Sequence, residues 1–160
     1  GQMSQVIMTT NGGRAYVRGF EAFLKAQLTQ HWQLSGTYNF TFGRILTDSV
    51  PYPLDHIAPA FGKLSLKYQK HKLQMEGFAM YSGWKHLEDY NMVGEDNFAY
   101  ATPEGMPSWY TLNLRGSYML SNQLSIQLAC ENILDRNYRM FASNISAPGR
   151  NFILTLRGSF

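Results

Sequence analysis

The side chains most able to do chemistry in this sequence are histidines and paired acidic residues. His86 lies close to Glu88-Asp89 and to Glu95-Asp96, and imidazole and carboxylate groups are suitable ligands for a cation or a ferric complex. The spacing matches no calcium-binding loop, so a solvated acidic loop is the favoured interpretation. The other histidines are His31, His56 and His71. None of the four stands in a known motif beside a nucleophilic serine or cysteine. We therefore expect no enzyme activity, no cofactor and no resident metal.

Composition limits the class of protein further. The 160 residues suffice for one domain, and 16% of them are charged, against roughly 25% in soluble domains. The net charge of +3 is spread along the chain without a basic run, so nucleic acid is not an expected partner. The single cysteine, Cys130, excludes an internal disulfide framework. No apolar stretch approaches the roughly 18 residues of a membrane-spanning helix, which excludes a helical membrane protein.

Apolar and polar residues alternate with a period of two along most of the chain, which is typical of strands with two different faces. In the segment 33–43, for example, Leu34, Tyr38 and Phe40 alternate with serine, threonine and asparagine. The alternating segments are 15–28, 33–43, 63–69, 73–84, 110–118, 124–131 and 150–160, with a weaker eighth at 2–10. The sequence therefore predicts an all-β fold, an antiparallel up-and-down meander of seven or eight strands.

The lengths of the connections favour a membrane barrel over a soluble sandwich, which also alternates. Short turns at 29–32, 70–71 and 121–122 are separated by long connections at 44–61, 85–108 and 132–149. In a meander, successive connections lie on opposite sides, so all the short turns fall on one side. Bacterial outer-membrane barrels have short periplasmic turns and long extracellular loops. The exception is Asn11-Gly12-Gly13, a tight turn on the long-loop side.

Aromatic residues on the apolar face stand near both ends of the predicted strands. Those at the short-turn end are Trp32, Tyr68, Tyr118 and Phe160; those at the long-loop end are Tyr16, Phe42, Tyr81, Trp84, Trp109 and Tyr110. A sandwich core would place its largest side chains centrally, whereas two girdles suit two headgroup layers. We therefore expect location in the bacterial outer membrane, with outer-membrane lipid as a partner.

Several segments, in order, resemble those of one family. Residues 131–138, Glu-Asn-Ile-Leu-Asp-Arg-Asn-Tyr, are similar to the "ENLFDKxY" segment near the end of TonB-dependent outer-membrane receptors. Residues 146–152 resemble the "PGRN" entry to their last strand, and residues 11–21 and 53–59 resemble a strand and a loop upstream. The departures are Ile133 for Leu and Leu134 for Phe. The motif residues are Asn132, Asp135, Tyr138, Pro148, Gly149, Arg150 and Asn151.

The resemblance implies a 22-stranded transmembrane β-barrel with an N-terminal plug, of which residues 1–160 would be the C-terminal part without the plug. It implies an importer energised through TonB for a scarce large solute: a ferric siderophore, haem, cobalamin or a glycan. The implied partners are the plug of the same full-length chain, TonB through the missing N-terminal part, and the solute. A strand that has lost its barrel neighbour invites pairing, so we expect the fragment to self-associate.

Two other classes remain open. One is a complete small eight-stranded outer-membrane barrel that acts as an adhesin or structural anchor. Its lumen would have to be packed with side chains, whereas the polar faces here are rich in Ser, Thr, Asn, Gln and Ala. The other is a soluble ligand-binding β-barrel. A plug and a TonB box encoded upstream would distinguish the receptor from both.

Two sets of residues are candidates for functional roles. The alternation that ends the chain resembles the signal read by the barrel-assembly machinery: Phe152, Leu154, Leu156, Gly158 and Phe160. Aromatic and polar side chains expected to be exposed on the long-loop side could contact the solute: Tyr52, His56, Trp84, His86, Tyr90, Phe98 and Tyr100. Aromatic faces with a few polar groups suit large, partly apolar chelates and sugars.

Overall fold

The computed structural model describes residues 13–47, 50–92 and 98–159. Four sequence predictions fall at least partly outside these ranges. They concern the weak strand at 2–10, the turn Asn11-Gly12-Gly13, the acidic pair Glu95-Asp96, and the terminal Phe160.

The described chain forms one antiparallel sheet, and the predicted meander is confirmed. The seven predicted strands are present, with ends that differ from the expected ones by at most three residues. The strands are β1 Arg14–Gln27, β2 Trp32–Leu46, β3 Tyr52–Pro53, β4 Phe61–Lys70, β5 Leu73–Ser82, β6 Trp109–Met119, β7 Leu124–Glu131 and β8 Asn151–Gly158. The sheet order is β1-β2-β4-β5-β6-β7-β8. The two-residue β3 was not predicted and pairs with the end of β2 that precedes the long connection.

The long connections contain two single-turn 3-10 helices, Leu87–Asp89 and Phe98–Tyr100. Neither was predicted. No helix in the described part of the chain has the length and apolar character needed to cross a membrane.

The strand register places the predicted apolar sets on one face of the sheet. Phe20 lies opposite Phe40, and Leu128 lies opposite Leu154. A slip of one residue would exchange the two faces of a strand, and the tight turns hold the register across the sheet. This apolar face stays open, with 65% of Leu156 exposed. In an outer-membrane barrel, the outward face is covered by lipid, and we call the apolar face the outward face.

The opposite face carries the polar residues and a cluster of charges around Glu76. One oxygen of this carboxylate accepts hydrogen bonds from Arg115 at 2.8 and 2.6 Å, and the other accepts from Ser65 Oγ at 2.7 Å and Lys63 Nζ at 3.0 Å. The ring of Phe78 lies 4.2 Å from Lys63 Nζ. The charges of Lys63 and Arg115 are thus partly neutralised by Glu76 within the polar face of the sheet.

Candidate functional site

The three long connections meet at one buried lysine. Lys85, only 2% exposed, follows β5. Its Nζ donates a hydrogen bond to the carbonyl oxygen of Ile57 at 2.7 Å. It also lies 5.0 Å from the ring centre of Tyr90 and 4.5 Å from that of Phe141. A carbonyl oxygen and two ring faces compensate the charge of a buried ammonium group. Lys85 therefore joins the connections before β4, β6 and β8.

The connection between β5 and β6 folds back on itself at Gly105. Lys85 and Met106 exchange two backbone hydrogen bonds, at 3.0 and 2.8 Å. Thr102 and Gly105 close the turn, and Gly105 has a φ of +91°. A Cβ atom at Gly105 would overlap the carbonyl oxygen of Lys85, so both the backbone conformation and the space require glycine. The described ends of this connection therefore have a defined structure.

The connection between β7 and β8 is closed at its base by the side chain of Asn132. This residue is 3% exposed and has a φ of +49°. Its Nδ2 donates to the carbonyl oxygens of Arg136 at 2.8 Å and Pro148 at 3.2 Å, and its Oδ1 accepts from the backbone N–H of Arg136 at 3.0 Å. Its own N–H donates to Asn113 Oδ1 at 2.9 Å. One side chain thus joins both ends of the connection to each other, and its backbone is anchored on β6.

Asp135 completes this base. Its Oδ1 accepts a hydrogen bond from the backbone N–H of Arg150 at 2.7 Å, and Arg150 Nε donates to the carbonyl oxygen of Ile133 at 2.9 Å. A Cβ atom on Gly149 would come within 2.6 Å of the same carboxylate oxygen. We call this set the loop clasp: Asn132, Asp135, Pro148, Gly149 and Arg150.

The two other motif residues lie beside the clasp. Asn151 begins β8 opposite Glu131. Tyr138 packs on Trp109, with ring centres 4.3 Å apart. Burial raises the pKa of the Tyr138 hydroxyl above its ordinary value, and the negative charge of Glu131 adds to this shift. Tyr138 is therefore a neutral packing residue over the neutral pH range.

A cavity of about 250 Å³ lies between the β5–β6 and β7–β8 connections. Its lining includes the aromatic residues Tyr90, Tyr100, Trp109, Tyr138 and Phe141. The indole N–H of Trp109 is buried there and has no hydrogen-bond partner within the described ranges. Arg139, also in the lining, donates a hydrogen bond to the carbonyl oxygen of Tyr100 at 2.7 Å across the two connections. An aromatic cavity of this kind can hold a partly apolar group.

The residues predicted to contact solute fall into three places. Trp84 and His86 stack face to face in the β5–β6 connection, with ring centres 5.3 Å apart and planes inclined by 7°, and both are exposed. Tyr52 and His56 are exposed in the separate connection before β4.

Tyr90, Phe98 and Tyr100 form the third group. The ring centres of Tyr90 and Phe98 are 5.8 Å apart, and Tyr90 lines the cavity together with Tyr100. The expectation that Tyr90 is exposed was wrong: it is 5% exposed, because Lys85 packs against its ring.

The acidic residues of this connection that the structure describes, Glu88, Asp89 and Glu104, do not assemble into a metal site. Asp89 forms an ion pair with Arg44 at 3.1 Å instead. Within the described residues, no three His, Cys, Asp or Glu side chains form a group that could hold a metal ion.

Sequence reasoning missed Lys85 and Arg139 as organising residues and considered Trp109 only as a girdle residue. A lysine or arginine in a polar loop normally indicates a solvated side chain. No local pattern could have identified them, because their contacts come from other connections.

Comparison with known proteins decides the family. The family model described as "TonB dependent receptor-like, beta-barrel" matches residues 3–133. The chain belongs to this family. TonB-dependent receptors are outer-membrane proteins of Gram-negative bacteria, so the predicted family and location are confirmed.

Curated TonB-dependent receptors match nearly the whole chain. The metal-pseudopaline receptor CntO of Pseudomonas aeruginosa is 28% identical in an alignment of length 155 that covers 90% of this chain and 21% of the relative. The probable TonB-dependent receptor BfrD of Bordetella pertussis is 25% identical, over 92% of this chain and 21% of the relative. The chain thus spans about a fifth of the length of these receptors.

Solved structures agree on the fold. The copper transporter OprC superposes with a TM-score of 0.76 at 20% identity, over 91% of this chain and 24% of OprC. The ferric-catecholate import receptor Fiu from E. coli K12 superposes with a TM-score of 0.67 at 21% identity, over 92% of this chain and 21% of Fiu. The meander is a segment of a TonB-dependent receptor barrel, and the expected 22-stranded barrel agrees with these neighbours.

Proposed function

We propose that this chain is the C-terminal part of an outer-membrane importer for a metal chelate such as a ferric siderophore, energised through TonB. Residues 1–160 supply barrel wall and extracellular loops. The plug domain of the same full-length chain fills the lumen, and the N-terminal part of that chain contacts TonB. The work of the protein is binding and transport, and no covalent chemistry is assigned to it.

The observation that carries this proposal is the concentration of aromatic groups where the three long connections meet. The stacked Trp84 and His86 are exposed in the β5–β6 connection, which also lines the aromatic cavity. Large chelates with apolar rims bind to such faces. Haem, cobalamin and glycans are the other solute classes that this chemistry accepts. A metal chelate is preferred because the similar proteins CntO and Fiu are described as a metal-pseudopaline receptor and a ferric-catecholate import receptor.

The alternative of a complete eight-stranded barrel has no support in the structure. Closure would require β8, the last described strand, to pair with a strand besides β7. Among the described residues, β1 pairs only with β2 and β8 pairs only with β7.

Uptake of radiolabelled metal chelates by cells that carry the full-length receptor tests the proposal. We expect at least one chelate to enter only when both the receptor and TonB are present. The W84A/H86N double variant should weaken chelate binding about tenfold, the effect of losing an aromatic contact at a binding surface. The matched control is H71N, in a short turn on the opposite side of the membrane, where φ is +50° and asparagine is tolerated.

Two results would contradict the proposal. One is that no metal chelate is imported by the assembled receptor, or that import continues without TonB. The other concerns the site alone: if W84A/H86N and H71N bind a transported chelate equally well, this surface takes no part in recognition.

A further inference from the structure

Charged side chains are scarce on the outward face of the described strands. The register assigns to this face only the arginines Arg14, Arg18 and Arg44, together with Lys70. Lys70 lies at the short-turn end of β4. The three arginines lie together at the other end of the sheet, on the neighbouring strands β1 and β2. A cation that faces the hydrocarbon of a membrane costs free energy. Three arginines close together on this face are therefore not expected of an ordinary lipid-facing surface.

The arginines are arranged around two aromatic rings. Tyr16 lies opposite Arg44, and Phe42 lies opposite Arg18. The guanidinium carbons of Arg18 and Arg44 are 4.8 and 4.3 Å from the centre of the Phe42 ring, and the two rings are 6.2 Å apart. We call Arg14, Tyr16, Arg18, Phe42 and Arg44 the arginine patch. Aromatic residues of this kind mark the depth of the lipid headgroups.

The patch keeps an excess of positive charge. Arg44 pairs with Asp89 at 3.1 Å, so three arginines and one carboxylate leave a net charge of +2. Arg14 and Arg18 are exposed. Two guanidinium groups beside one ring repel each other, and a bound anion would relieve this repulsion. The ring of Phe42 supports both groups by cation–π contact. Arg44 already donates to Asp89 Oδ1 at 3.1 Å and to the carbonyl oxygen of Gly43 at 3.2 Å, whereas the guanidinium of Arg18 makes no hydrogen bond within the described ranges, so its N–H edge is free to donate.

We propose that the arginine patch binds the phosphate groups of lipid headgroups in the outer leaflet of the outer membrane. The guanidinium group binds phosphate through two parallel N–H donors. The long connections place this end of the barrel on the extracellular side, so the lipid is one of the outer leaflet. The proposal depends on the outward face and its orientation and not on which solute is imported.

The experiment measures binding of diphosphoryl lipid A to the purified full-length receptor in zwitterionic detergent by native mass spectrometry. Each arginine near an anionic surface contributes about a fivefold factor in affinity. We expect about a fivefold loss for R18Q and a loss on the order of 100-fold for R14Q/R18Q/R44Q. The matched control, K70Q, removes the outward charge at the opposite end and should bind lipid A like the unmodified receptor.

Further measurements identify the ligand and verify that each variant is folded. Monophosphoryl lipid A should bind more weakly than the diphosphoryl form, and inorganic phosphate at equal concentration should not displace the lipid. Heat-modifiable migration in gels verifies that each variant forms a barrel. If the triple variant fails to assemble, the lipid A affinity of R18Q alone tests the proposal. The proposal is overturned if R18Q binds as the unmodified receptor does, if K70Q loses as much affinity as R18Q, or if inorganic phosphate displaces the lipid.

Discussion

Replacement of Asn132 by alanine should open the loop clasp. The substitution removes three hydrogen bonds made by a 3% exposed side chain. At about 1 kcal/mol net for each bond, this lowers the free energy of opening by about 3 kcal/mol. The backbone adds a further cost, because Asn132 has a φ of +49°, where alanine is less favourable by about 1 kcal/mol. The expected total is therefore about 4 kcal/mol.

Hydrogen exchange in the full-length receptor measures this opening at two amides. The N–H of Arg136 donates to Asn132 and loses its acceptor directly. The N–H of Arg150 donates to Asp135, which the substitution leaves in place. If the clasp opens as one unit, the Arg150 amide should also exchange faster, by a factor on the order of 100 to 1,000 for about 4 kcal/mol.

Two variants serve as references. N144A changes the same residue type at an exposed position of the same connection and should leave both amides protected. N132G loses the same hydrogen bonds without the backbone cost, so it should be about 1 kcal/mol less destabilising than N132A. Unchanged exchange of Arg150 in N132A would refute the clasp as a cooperative unit.

Two further predictions concern the β5–β6 connection and the chain end. G105A should make proteolysis of the 98–108 segment faster, because the added Cβ overlaps Lys85 and the positive φ is unfavourable. In G77A no atom lies within 4 Å of the added Cβ, so this variant should be cleaved at the same rate as the unmodified receptor. Equal proteolysis rates for G105A and G77A would contradict the argument. Deletion of Phe160 from the full-length receptor should lower the amount inserted in the outer membrane, as quantified by immunoblot of membrane fractions. If the inserted amount were unchanged, the terminal alternation would indicate only an ordinary lipid-facing strand and not an assembly signal.

The strands could be predicted from the sequence because each has one apolar and one polar face. The alternation around Leu34 or Leu128 is local, and the tight turns carry the register from strand to strand. The two-residue β3 carries no such signal. It forms because β2 extends beyond its pairing with β4, which ends at Asn39, and leaves Arg44 and Ile45 to pair with β3.

The site was predicted less completely than the strands. Its residue types were recognised, but which of them meet depends on connections distant in sequence. Tyr90 was expected to face solvent and instead packs on Lys85. The hydrogen bonds of Asn132 likewise join positions up to 19 residues apart. Such contacts follow from the closed fold of the loops and not from periodicity.

The loop clasp also bears on how such a receptor can diversify. Its bonds hold residues 132–136 against 148–150, so the chain from 137 to 147 begins and ends at fixed points. Insertions or deletions within that stretch alter its contour while β7 and β8 keep their pairing below. The clasp separates a fixed frame from the loop that it carries. An engineer can therefore graft a foreign peptide between these two fixed points without redesigning the strands that carry them.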